Sequence, residues 1–226
     1  LPEKVGISRS ARDLRNKQNI AEFANYAVSK RVLEKESQGI TTGFDLKAAK
    51  EVVNNKELIK KYDKVQKELT DYNRRVLEYA RDKGLLSEEA FNAMIELNKG
   101  VSNPFKRMTG STKQVIDPVA TTYSNTFNII KKVERNSALT SFFNLIEANK
   151  KSFPDINKKT ITKSTKLNVK ELENLGINMK KFDNNTKVGK ELIDNLKVFR
   201  KEFDKVGDDS VSVFRNGKYE VWEVGK

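Results

Sequence analysis

The chain has 226 residues, 37% hydrophobic and 33% charged, and its 44 Lys+Arg against 31 Asp+Glu leave a net charge of +13. It contains no histidine and no cysteine. Those two absences exclude Ser-His-Asp and Cys-His catalysis, Cys/His zinc centres, histidine-ligated haem, redox thiols and disulfides built from this chain alone. The length suits one large domain or two modest ones with a real core. The most apolar stretches, such as Ala138 to Ile146, are too short and too interrupted to span a membrane. The chain opens on Leu1-Pro2-Glu3-Lys4, with no initiator methionine and no signal-peptide pattern, and is expected to be an excerpt of a much longer protein.

From Ser8 to about Lys35, Leu14, Ala21, Ala24, Val28 and Val32 recur at helical spacing, with Ile20, Phe23 and Ala27 beside them. The stretch from Gly39 to Gly43 breaks that helix, and Asp45 can cap a shorter one reaching about Val53. The strongest periodic signal is Leu58, Tyr62, Val65, Leu69, Tyr72, Val76 and Tyr79, a heptad seam with charged flanks. Such a seam serves either as a coiled-coil partner surface or as the face that packs on neighbouring helices of its own chain. Gly84 stops the helix, and Ser87 caps the next, whose apolar face is Phe91, Met94 and Ile95.

Residues 99–116 form a basic loop with Lys99, Lys106, Arg107 and Lys113 and no acid. Asp117-Pro118 then reads as an N-cap with proline at the first helical position. It opens a helix of about thirty residues through Tyr123, Phe127, Ile130, Val133, Leu139, Phe142 and Ile146, ending near Pro154. Residues 156–170 are again acid-free, with Lys158, Lys159, Lys163, Lys166 and Lys170. Short helices are expected around Val169–Leu175 and Val188–Lys205. Last, two alternating runs over 211–224 flank Asn216-Gly217, a strong β-hairpin signal, and Trp222 is expected to pack the hairpin on the helices.

The expected fold is therefore mainly α, an irregular bundle of long amphipathic helices with a C-terminal β-hairpin. Its organisation is read as an N-terminal helical segment (1–56), a long-helix core (57–150), and a region of short helices and hairpin packed on that core (151–226).

No phosphate loop, dinucleotide fingerprint, nucleophile elbow or calcium loop occurs. Pro154-Asp155 lacks the acidic-x-Lys triplet that a nuclease of that type needs. Acid pairs such as Asp208 with Asp209, or Glu171 with Glu173, are ordinary for a surface this charged. No catalytic, cofactor or metal residue is expected, and no enzyme. The remaining signal is positive charge, which draws a chain to nucleic acid, anionic lipid or acidic partners. Candidate phosphate contacts are Lys106, Arg107, Lys113, Lys158, Lys159, Lys163 and Lys166. Aromatic residues interleave there only as Phe105 and Phe153, too few for a single-strand stacking platform.

One run of residues resembles a known family. The order Tyr79-Ala80, Gly84-Leu85-Leu86-Ser87, Asn103-Pro104-Phe105-Lys106-Arg107-Met108-Thr109-Gly110-Ser111, Asp117-Pro118, Arg135-Asn136 and the hairpin Val213-Phe214-Arg215-Asn216-Gly217-Lys218-Tyr219-Glu220-Val221 is similar to one associated domain. That domain occurs in the large polyvalent proteins of tailed phages and related mobile elements. The resemblance covers about residues 57–226. It departs from the family between Glu96 and Asn103, where a longer loop is usual. The resemblance implies a non-enzymatic structural module of an internal virion protein that is ejected with the genome. Its implied partners are other segments of the parent chain and other virion proteins, and its implied location is the virion interior, then the host cell. The alternative is a non-specific nucleic-acid-binding module acting in the host cytoplasm after delivery. The motif at Asn103–Ser111 either locks the bundle below Asp117 or presents Lys106 and Arg107 to a phosphate backbone.

Overall fold

The structure is a computed structural model that describes residues 14, 17–37, 39, 42–97, 118–159 and 209–224. It is mainly helical and ends in a small antiparallel sheet. Helix α1 spans Lys17–Ser37, α2 Leu46–Asn54, α3 Lys56–Asp82, α4 Glu88–Leu97 and α5 Pro118–Ala148. A 3-10 turn at Lys150–Ser152 leads to β1 (Asn157–Lys159), and β2 (Ser210–Arg215) and β3 (Lys218–Glu223) close the described chain. The short helices expected around 169–175 and 188–205 lie outside the described residues, as does the start of the first helix at Ser8.

Several helix ends have a local cause. Asp45 accepts hydrogen bonds from the amides of Lys47 (2.8 Å) and Ala48 (3.2 Å), satisfying two donors of the first turn of α2. Asn55 does the same for α3, accepting from Glu57 (2.9 Å) and Leu58 (3.2 Å), so a single residue separates two helices. Helix α3 stops at Gly84, whose φ of +74° is disfavoured for a residue with a Cβ, while Leu85 donates back to the Ala80 carbonyl at 2.9 Å. Ser87 Oγ accepts from the Ala90 amide at 3.1 Å and opens α4.

Two compact units divide the described chain. The first holds α1, α2, α3 as far as Val76 and α5 as far as Phe127. Its core gathers Phe23, Tyr26 and Ala27 of α1 against Tyr62 and Leu69 of α3, with Leu58 and Val65 packed alongside. The heptad seam of α3 therefore faces its own neighbour in this half: Tyr62 lies 5.6 Å from the Phe23 ring and 6.2 Å from the Tyr26 ring, centroid to centroid. Tyr62 keeps its hydroxyl satisfied by donating to Glu22 at 2.6 Å.

The second unit holds the rest of α3, α4 as far as Met94, α5 from Asn128 and the sheet. Strand β3 lies in the middle, with β2 on one side and β1 on the other, both antiparallel to it. Asn216 and Gly217 take φ of +49° and +73°, the left-handed pair that matches the twist of a two-residue hairpin. Trp222 stacks on Phe143 of α5 at 4.5 Å between centroids, and Val213 and Ile146 complete that core.

The helix expected after Asp117-Pro118 is present as α5, and its apolar residues fall on two faces: Val133 and Ile146 are buried, but Tyr123, Phe127 and Phe142 are exposed. The inward face is Thr122, Thr126, Ile129, Val133, Asn136, Phe143 and Ile146. Its three polar members disguise it in a hydropathy pattern. The segment read as a basic loop from 156 contains β1, which sequence alone hides because its three residues are all exposed and do not alternate.

Candidate functional site

Lys158 and Lys159 are the two candidate phosphate contacts among the described residues, and both sit on β1. Their register opposite Trp222 and Val221 brings each beside an acid of β3. Lys158 Nζ lies 2.5 Å from Glu220, and Lys159 Nζ lies 2.6 Å from Glu223. The hydrogen bond that Lys159 donates to Glu223 holds its ammonium above the usual lysine range. Lys106, Arg107, Lys113, Lys163 and Lys166 lie outside the described residues.

Asn103, Pro104, Gly110, Ser111 and Asp117 of the family-like motif also lie outside them, while Pro118 starts α5. Arg135 is exposed, whereas its neighbour Asn136 is buried. Asn136 Nδ2 donates to the carbonyl of Phe214 at 2.8 Å, and its Oδ1 accepts from the Phe214 amide at 2.6 Å. The Asn216-Gly217 turn reaches the α3–α4 connection, where the Gly217 amide donates to the Gly84 carbonyl at 3.2 Å. A Cβ on Gly217 would stand 2.3 Å from the Ser87 nitrogen, so only glycine fits. Gly84, Ser87, Asn136, Asn216 and Gly217, separate in sequence, thus meet in one fastening of hairpin to helices.

Of the seam, Tyr62, Leu69, Tyr72 and Val76 are buried and Leu58, Val65 and Tyr79 are half-buried. Tyr79 donates its hydroxyl to Glu134 of α5. That hydrogen bond, with burial and the carboxylate's charge behind it, pushes the phenol up to about 12. Salt links tie the first unit together as well: Lys30 lies 2.8 Å from Asp63, and Lys61 lies 2.6 Å from Glu22. The lysine hydrogen bonds hold both carboxyls below the usual range.

Sequence reasoning missed a buried cationic pair on α1. Arg31 and Lys35 are 8% and 5% exposed, and Arg31 Nη1 lies 2.8 Å from Glu34. Burial, and then the nearby Arg31 charge, lower Lys35 to about 8. Charged residues one turn apart look like a solvated face in sequence, so no pattern flagged them. On the solvent side of α3, Lys56, Lys60 and Lys64 are exposed in one row. Among the described residues no group of three or more acids could hold a metal ion. No helix among them is long and apolar enough to cross a membrane.

No family model, curated protein or solved structure matches this chain.

Proposed function

We propose that this chain is a non-enzymatic structural module of a large phage polyvalent protein, an internal virion protein delivered with the genome. The supporting observation is the use made of the residues that carry the family resemblance. Asn136, Asn216, Gly217, Gly84 and Ser87 hold the sheet to the helices through hydrogen bonds and close backbone approach. Residues that fasten one element to another are what a scaffold needs, and the buried Asn136 carboxamide commits both its nitrogen and its oxygen to the Phe214 backbone. The virion setting rests on the resemblance. Proteomics of purified particles of the parent element tests it: peptides of this chain are expected inside the particle, and in the recipient cell after entry. Finding them only in producing cells would refute that role.

A second reading, a non-specific nucleic-acid-binding module acting after delivery, is favoured by the net charge of +13 and the row Lys56, Lys60 and Lys64. Against it, the two candidate phosphate contacts on β1 already spend their charge on Glu220 and Glu223. The two readings part in a salt-dependent DNA titration.

A further inference from the structure

The sheet has two edges, and they are held by unlike means. On the β2 side, Asn136 and Thr140 of α5 bond the peptide groups of Phe214, and the Asn136 site is buried. On the other side stands β1, three residues long and exposed at every one. Val224 donates to the Asp209 carbonyl, towards β2, at 2.8 Å. By the alternation of an antiparallel ladder, Glu220 and Trp222 also bond towards β2. Val221 and Glu223 turn their peptide groups the other way, to Lys159 and Asn157 of β1.

Strand β1 differs from the segment that leads into it. Phe153 and Ile156 are half-buried against Phe143, Ile146, Val213 and Trp222. Lys150 Nζ donates to the Ile156 carbonyl and, at 2.8 Å, to Asn157 Oδ1. Asn157 Nδ2 donates to the Pro154 carbonyl at 3.2 Å. That turn is pinned to the core and braced within itself. Past it, the strand brings no apolar side chain to the sheet. Beyond its ladder bonds it holds to β3 by the Lys158–Glu220 and Lys159–Glu223 pairs, whose lysine side chains are 49% and 54% exposed. Ion pairs in that setting hold weakly and are screened by salt.

We propose that β1 is a releasable strap, which leaves and rejoins β3 while the rest of the sheet stays folded. It turns at Asn157, the last braced residue, and ionic strength sets how often it stands open. A short exposed ladder with little apolar contact is where a native protein opens locally. Release bares the Val221 and Glu223 peptide groups beside two carboxylates, while Asn136 keeps the opposite edge closed. One edge of the sheet is thus locked, and the other is uncovered by salt. The device belongs to the sheet alone and does not depend on the virion role.

Site-resolved amide hydrogen exchange of the full chain, read by NMR and corrected for intrinsic rates, tests it. The Val221 and Glu223 amides are expected to exchange at least about tenfold faster than those of Trp222 and Phe214, through an opening that low urea does not promote. Raising salt from about 0.05 to about 0.5 M should lower protection at Val221 and Glu223 by about two- to fivefold and leave Trp222 unchanged. Glu223→Gln, at a half-exposed position, should lower protection at Val221 to a similar degree in low salt and blunt the salt response. Val221 and Glu223 amides protected as well as Trp222, or losing protection with urea in step with it, would overturn the proposal, because β1 would then open only with the whole sheet. Protection indifferent to both salt and Glu223→Gln would overturn it too, because the ion pairs would not be what holds the strap.

Discussion

Asn136 and Phe214 are joined through both functions of one carboxamide, Nδ2 to the Phe214 carbonyl at 2.8 Å and the Phe214 amide to Oδ1 at 2.6 Å. Phe214 lies on β2, an edge strand of the sheet. The side-chain amide therefore stands where the peptide group of a further strand would stand. It satisfies that stretch of edge and denies it to other chains. Thr140 adds a weaker contact to the same carbonyl at 3.4 Å.

Replacing Asn136 by Ala leaves the Phe214 amide without its acceptor in a buried site. The expected loss is about 2–3 kcal/mol, read as a shift of the urea midpoint at unchanged slope. Asn136→Asp keeps the acceptor but sets a carboxylate against the Phe214 carbonyl, so it should also destabilise. An Asp variant as stable as the parent would show that the carboxamide is not the fastener.

Gly217→Ala should cost about 2–4 kcal/mol, because it combines a φ of +73° with a Cβ driven into Ser87. Gly43→Ala is the control, since its φ is +76° with open space around the added Cβ. It should cost only about 1 kcal/mol. Equal losses in chemical denaturation would mean that the hairpin turn does not seat against the α3–α4 connection.

Tyr62→Ala removes a ring that is 2% exposed and touches two aromatic neighbours. A loss of about 3–5 kcal/mol is expected. Any change in self-association should only follow unfolding. A folded Tyr62→Ala chain with altered association would make the α3 seam an interface rather than core.

Two groups give opposite pH signatures. Lys35, lowered to about 8 in the fold, binds fewer protons there than in the unfolded chain between about 8 and its ordinary value of 10.5. Stability should therefore rise with pH through that window. Tyr79, pushed up to about 12 from 10.0, binds more protons in the fold. Its contribution is complete below about 10 and is lost as pH rises towards 12. Lys35→Met should raise Tm at pH 7, with the gain shrinking as pH rises from about 8 to 10.5, while Tyr79→Phe should flatten the alkaline fall. A Lys35→Met gain that is independent of pH would point to packing instead of charge burial.

Much of this fold is legible in the sequence where the cause is local. Asp45, Ser87 and Gly84 act through neighbours within a turn, and Asn216-Gly217 dictates its own hairpin. The heptad seam of α3 is legible as a seam, but whether it meets its own chain or another depends on α1. Features that depend on distant partners are hidden. Strand β1 exists because β3 offers it an edge, and Asn136 earns its place only against Phe214. The phase of α5 is hidden because Thr122, Thr126 and Asn136 are buried while Phe127 is exposed. Periodicity alone cannot choose between two faces of which one is polar inside and the other apolar outside.

The most direct test of a structural role is fluorescence anisotropy of a short mixed-sequence DNA duplex titrated with this chain across a salt series. A structural module whose charge is surface solvation and internal pairing gives no saturable binding near physiological salt, and Lys56, Lys60 and Lys64→Ala together change nothing. Saturable binding whose log affinity falls steeply with log salt, at about 0.9 per phosphate contacted, and which that triple substitution weakens, would contradict it.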